Sequence, residues 1–395
     1  MKIEMLDLGK EINQSNNLTQ HVSKYNSWVE IDTQALQHNL ASYKNIIKPA
    51  LLAPVIKSNA YGHGISLVAS ICEQTAAVDM LCVVNVSEAL YLRSMGIKKP
   101  LLVLSILRDD VQAAILQDIQ LVVVDLATAI TLNDLGKKLG KKVEIHIKID
   151  TGLSRLGFLS CDAFETITLI HKLQFIIIKG IFTHFADSEN IDQTFTNQQI
   201  ARFNTLIEAL EDHGISIPLR HTSCSAAITA NIQSHFTLSR VGIGIYGLWP
   251  SHENKKLTHS YYPSFSLKPA LTWKTAIMQL KEIPVGSSIG YDCTHTVDRA
   301  SMIAVLPIGY WDGYDRGFSN TGQVMIKNKL APVVGRVAMN LTMIDVTDLD
   351  ACVGDEVILL GNAPGVSAED LAMRCQTINY EIVTRINPLL PRIGV

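Results

Sequence analysis

Read from the sequence, the chain is an α/β protein with a β-rich extension: a (β/α)8 barrel followed by a mostly β C-terminal domain. Three observations predict this. Eight short apolar runs, near residues 51–57, 80–84, 101–104, 120–124, 143–149, 176–183, 217–222 and 239–245, alternate with amphipathic segments. Eight β-then-α units call for a closed barrel, where a doubly wound sheet would normally stop at about five or six strands. After residue 262 the rhythm changes to short strands bounded by Gly, Asn and Pro, the pattern of a β domain. The length of 395 residues exceeds the roughly 250 of a typical barrel and leaves room for that second domain.

Residues 1–26 are polar and are read as an N-terminal arm without chemistry of its own. The barrel domain is placed at 27–262. It opens with a strand at Trp28–Asp32, then a helix capped by Thr33 with Leu36, Leu40, Tyr43 and Ile47 on one side. Leu51–Ile56 is the first barrel strand, Asn59, Gly62 and Gly64 supply a tight turn, and Ile65–Cys72 restarts at helical spacing. Val86–Met95, Leu126–Leu139, Cys161–Leu173 and Phe195–His213 supply further intervening helices. Ser251–Ser266, rich in His, Ser, Tyr and Lys, reads as a linker between domains, with Pro250, Pro263 and Pro269 around it. The β domain, 263–395, carries strands at 272–283, 302–307, 323–326, 331–336, 342–346 and 356–360, and ends in a short helix at 367–375.

A formal net charge of -3 provides no basic field for nucleic acid and no polycationic face for a membrane. Seven scattered cysteines without a C-x-x-C pair fit a reduced, cytoplasmic protein. The N-terminus has no apolar core of the kind a signal peptide needs, and no later run is long and apolar enough to span a bilayer. No metal-binding set is read.

Chemistry centres on Lys57, at the C-terminal tip of the first barrel strand and so on the catalytic face of such a fold. Half-buried there, an ammonium loses solvation and its pKa falls, which frees the amine for Schiff-base chemistry. Other polar residues end later strands: the His146–Gly157 stretch on the fifth, Thr183-His184 on the sixth, His221–Ser225 on the seventh and Arg240–Gly244 on the eighth. Loops after strands seven and eight commonly bind phosphate, which makes Ser225, Gly242 and Ile243 phosphate candidates, with Tyr61 donating its hydroxyl from across the mouth.

The stretch Val55-Ile56-Lys57-Ser58-Asn59-Ala60-Tyr61-Gly62-His63-Gly64 resembles the pyridoxal-phosphate lysine motif of the alanine racemase family, V-K-A-N-A-Y-G-H-G, with Ser58 in place of its third residue. Gly309-Tyr310-Trp311-Asp312-Gly313-Tyr314, Gly335–Asn340 and Asn379-Tyr380-Glu381 resemble further family motifs, in family order. The resemblance runs from Trp28 to Arg392 and implies a homodimeric racemase that interconverts L- and D-alanine for peptidoglycan. It implies that Tyr61, Ser225, Gly242, Ile243 and Tyr380 hold the phosphate of pyridoxal 5'-phosphate. Arg240 would face the pyridine nitrogen, held by a hydrogen bond to His184. Arg155 would contact the phenolic oxygen and the substrate, and Lys148 matches a lysine that many members carry as a carbamate. Lys57 and Tyr291, the latter reaching in from the other subunit, would be the two bases, one for each face of the α-carbon. Met339 would contact substrate, and Tyr310, Arg316 and Arg336 would line the entrance.

Five positions depart from the family pattern: Cys224 stands for Asn, Asp292 for Gly, Ala338 and Asn340 for the Cys and Asp around Met339, and Leu390 for Arg. Asp292 and the Met339-Asn340 pair resemble broad-specificity racemases that also take serine, lysine or arginine. Two other readings are a decarboxylase of the same architecture and a pyridoxal-phosphate carrier. The pairing of Lys57 with Tyr291, and Arg240 where such decarboxylases are expected to use an acid, speak against the first, and the β domain against the second.

Overall fold

The computed structural model describes residues 25–395 apart from 106 and 109, so nearly all of the N-terminal arm lies outside the described residues. The eight parallel strands are Leu51–Pro54, Leu81–Val83, Leu101–Val103, Ile119–Val123, Val143–Asp150, Ile176–Phe182, Leu219–His221 and Leu238–Val241. The second to seventh pair in sequence order, and the eighth pairs with the first, Arg240 opposite Ala53. A parallel bridge from Val55 to Cys82 and a bond from the Thr237 N–H to the Arg220 carbonyl join these two groups into a ring. The result is a (β/α)8 TIM-like barrel.

Helices form where the sequence alternates at helical period between strands. The helix Thr33–Ile47 buries Leu36, Leu40, Tyr43 and Ile47 as its spacing predicts. Its cap is Asp32, which accepts from the Ala35 N–H at 2.8 Å, rather than Thr33, whose hydroxyl donates to the Val395 carbonyl. The segment read as a linker is a helix, His252–Tyr261, capped by Ser251. Its inward face is polar, which disguised it: Asn254 and Thr258, four residues apart, bond to Ala226 and Thr229 of the helix Ser225–Ala230.

Inside the barrel, strand periodicity sorts two kinds of residue. Val143, Ile145, Ile147 and Ile149 of the fifth strand are buried apolar residues, while the alternate positions are Glu144, His146, Lys148 and Asp150. Strands one to three contribute an apolar cluster of Ala53, Val55, Met80, Cys82 and Leu102. The interior is therefore apolar on one side and polar on the other.

Contacts divide the chain into two compact units. One holds the barrel, residues 30–272, together with 361–388 and the last two residues. The other holds 273–360 and 389–393 with the described residues up to Val29. In the β unit a six-stranded sheet runs in the order Lys329–Pro332, Gln323–Ile326, Glu356–Leu360, Leu271–Ala276, Ser27–Ile31, Arg392–Gly394. A second sheet orders Gln279–Ile283, Ser301–Leu306 and Thr342–Asp345. The run at 272–283 is thus two strands in different sheets. Trp273 and Tyr314 pack edge to face in this unit, and the Trp273 indole donates to Ser27.

Candidate active site

Lys57 leaves the first strand into an unusual turn. Ser58, Asn59, Ala60 and Tyr61 all lie in the left-handed region, at φ of 56°, 53°, 52° and 53°, a conformation that costs an L-residue about 1–2 kcal/mol. Bonds from the Ala60 N–H to the Ile56 carbonyl and from the Ile65 N–H to Asn59 Oδ1 hold it. At Gly62 a Cβ would fall 1.9 Å from the Val383 carbonyl oxygen, so only glycine admits the helix Asn379–Thr384 beside the turn. That helix carries Tyr380, whose ring lies 6.3 Å from that of Tyr61.

Burial, then the charge of Arg155, lower the pKa of the Lys57 amine, and Glu88 opposes them. Arg155 itself is set by Asp150, whose carboxylate accepts from the N–H groups of Gly152, Ser154 and Arg155. Lys148 is buried and is pushed down to about 8, first by burial, then by Arg155 and Arg240, with Asp150 opposing.

Across the mouth, the Gly242 and Gly244 N–H groups converge on Ser225 Oγ at 3.0 and 3.2 Å. A Cβ on Gly242 would meet the Tyr61 hydroxyl at 2.7 Å. Tyr61, Ser225, Gly242, Ile243 and Tyr380, read from different parts of the sequence, therefore belong to one unit, and Tyr61 closes on both Gly242 and Tyr380.

Arg240 is buried, and burial lowers its pKa to about 10, which leaves it charged at neutral pH. Its NH1 donates to His221 Nδ1 at 2.5 Å and to the His221 carbonyl, and its NH2 to the Thr183 and Thr222 carbonyls. The imidazole bonded to this arginine is thus His221 and not His184: His221 projects from the adjacent seventh strand, whereas His184 lies beyond the end of the sixth. Four of the five guanidinium N–H groups are used, and Nε–H is the fifth.

Because arginine only donates, the tautomers behind it are fixed. His221 Nδ1 accepts, so its Nε2–H donates to His146 Nδ1 at 2.8 Å. His146 Nε2–H then donates to Gln120 Oε1 at 2.8 Å, and the Gln120 amide donates to Glu144 at 3.0 Å. Burial, followed by the charge of Arg240, holds His146 down at about 3 and His221 well below the usual imidazole value. Gly180 makes the chain possible, since a Cβ there would lie 2.2 Å from His146 Nδ1. None of Gln120, His146 or His221 is singled out for a role by the sequence reading. The alternation Glu144, His146, Lys148, Asp150 along one strand is the signal that points to them.

The remaining predicted residues belong to the β unit. Tyr291, Trp311, Met339 and Tyr310 are 70, 60, 54 and 43 % exposed. The Tyr310 and Trp311 N–H groups donate to the Ala338 and Met339 carbonyls, and Arg336 pairs with Asp292 at 2.7 Å, so these residues share one surface. Arg316 is exposed in the same unit, whereas Tyr314 is fully buried against Phe318.

The cysteines are all free, and no helix among the described residues is long and apolar enough to cross a membrane. Residues 31–250 match the family model for the alanine racemase N-terminal domain, and 270–394 that for the C-terminal domain. The chain is 40% identical over 372 residues to alanine racemase of Methanococcus maripaludis, covering 93% of this chain and 98% of that protein. It is 38% identical to alanine racemase 2 of Caldanaerobacter subterraneus, over 93% of this chain and 94% of the other. Among solved structures, alanine racemase of Clostridium difficile 630 superposes with a TM-score of 0.89 at 34% identity, over 94% of this chain and 96% of that one. The enzyme of Bacillus anthracis with bound L-Ala-P gives 0.86 at 30% identity, over 94% and 95%. By sequence along nearly its whole length and by fold, the chain belongs to the alanine racemase family.

Proposed function

We propose that the chain is a pyridoxal-phosphate-dependent racemase that interconverts L- and D-alanine as a cytoplasmic homodimer, supplying D-alanine for peptidoglycan. The observation that carries this reading is the set of groups at the barrel mouth with Lys57: an amine of lowered pKa, two guanidinium groups, and the hydroxyl groups of Tyr61 and Ser225 brought together at Gly242. Donor groups on every side suit a cofactor with a phosphate, a phenolic oxygen and a ring nitrogen. When bound, pyridoxal phosphate supplies an electron sink for charge developing at the substrate α-carbon.

Tyr61, Ser225, Gly242, Ile243 and Tyr380 would hold its phosphate, Arg155 its phenolic oxygen and Arg240, through the remaining Nε–H, its ring nitrogen. With its proton firmly held, Arg240 donates a hydrogen bond without protonating the ring, which restrains side reactions. Lys57 exchanges the α-proton on one face and Tyr291, from the second subunit, on the other. Lys148, with an amine partly neutral near pH 8, is suited to carbamylation, and the resulting anion would orient Arg155 where the cation repels it. Met339 would touch substrate beside Arg155, with Tyr310, Arg316 and Arg336 at the entrance.

The test is loss of optical rotation from L-alanine with pyridoxal phosphate, in the natural chain and in Lys57→Ala and Tyr291→Phe. Activity in the first, with losses of at least about 100-fold in both variants, is expected; full activity in either variant would refute the two-base assignment. The broad-specificity reading is favoured by one observation: Asp292, next to Tyr291 in the chain, forms an ion pair with Arg336 of the proposed entrance at 2.7 Å. Turnover of serine, lysine and arginine at rates near that of alanine would establish it.

A further inference from the structure

The entrance to the left-handed turn is held by a carboxylate that no motif above includes. Glu88 Oε1 accepts from the Ser58 N–H at 2.6 Å, and Oε2 from the Val84 N–H at 2.9 Å. Ser58 follows Lys57 directly, and Val84 follows the second barrel strand. One side chain thus joins the tip of the first strand to the tip of the second.

The sequence alone favours a duller role. Asn85-Val86-Ser87-Glu88 matches a capping box, in which the first side chain accepts from the fourth residue's N–H and the fourth side chain reaches back to the first residue's N–H. The first half is present, Asn85 Oδ1 accepting from the Glu88 N–H at 2.8 Å. The second half is diverted: the carboxylate passes the cap residue and takes Val84 and Ser58 instead.

We propose that Glu88 is a positioning residue for Lys57, clamping the strained turn that presents the lysine at the barrel mouth. Four consecutive left-handed residues need fixed partners to persist. Asn59 ties the exit of the turn to Ile65, and Glu88 ties its entrance. The same carboxylate is the anion that works against burial and Arg155 at the Lys57 amine, which supports the assignment on separate grounds. The inference rests on the reading of Lys57 as the base.

Glutamine separates the two roles. It serves a capping box as well as glutamate does, but it has one acceptor oxygen where the clamp needs two, and its amide can only oppose the second N–H. In the pyridoxal-phosphate-loaded enzyme, Glu88→Gln is expected to lower kcat by about 30- to 100-fold in both directions with KM within about threefold, the scale of a small misplacement of a reacting group. Hydrogen exchange in peptides spanning 55–66 should speed up, while the melting temperature stays near that of the natural enzyme. Natural kcat with unchanged exchange in Glu88→Gln would overturn the clamp and leave a helix cap. Lys57→Ala, measured alongside, tests the underlying reading by itself: if it racemises normally, that reading falls. If it is inactive while Glu88→Gln behaves naturally, only the clamp falls. Should Glu88→Ala fail to fold, the glutamine variant still decides.

Discussion

The polar groups of the barrel unit and those of the β unit sit in opposite surroundings. Arg240, His221, His146 and Gln120 are buried and bonded one to the next until Glu144, with Gly180 and Phe182 shaped around them. Tyr291, Tyr310, Trp311 and Met339 form an apolar and aromatic surface that the chain leaves largely uncovered. The barrel set is preorganised by its own unit, at the desolvation cost that buried polar groups carry unless fully bonded. The exposed set fits residues whose working environment is completed by something else, in line with the homodimer proposed above.

This contrast can be broken by substitution. Arg240→Met should cost the barrel unit about 3–5 kcal/mol, because it strips the donor from three carbonyls and an imidazole while leaving them buried. Denaturant unfolding measures it, and a loss below about 1 kcal/mol would mean that water repairs the chain. Gly180→Ala should cost about 1–3 kcal/mol by overpacking against His146, with racemase activity falling as Arg240 loses its fixed acceptor.

Titration sharpens the same point. The unfolded chain takes up a proton at His146 near pH 6.5, while the folded chain resists until about 3. Between those values unfolding binds protons, so stability falls as pH falls. His146→Gln should flatten that slope, as read from unfolding midpoints at a series of pH values. On the exposed surface, Trp311→Ser and Tyr291→Phe should each shift unfolding of the separate chain by less than about 0.5 kcal/mol. The first should instead weaken self-association in sedimentation experiments, and the second should act on turnover alone.

The barrel was legible because eight apolar runs with intervening amphipathic segments admit few other closures. The helix His252–Tyr261 escaped notice because hydrogen bonds, rather than apolar contacts, bury Asn254 and Thr258, and periodicity sees only the latter. The cap of the first helix moved by one residue, from Thr33 to Asp32, since both side chains can accept and only geometry selects between them. Lys57 stood out through its motif. His221 did not, because a histidine near a strand end looks the same whether it holds an arginine or merely fills space. Glu88 was hidden by a better-known pattern, as its spacing fits a helix cap and the diversion to Ser58 lies thirty residues away in sequence.

The fixed tautomers of His221 and His146 also give the enzyme an internal reporter. Each ring keeps one nitrogen protonated and one bare, both shielded from water. Nitrogen-15 resonance separates those two states, and slow solvent exchange would keep the ring protons visible. A ligand drawing on the Nε–H of Arg240 would polarise the relay from its far end. Occupancy of the site could then be followed as a chemical-shift change in the two histidines bonded in series to Arg240.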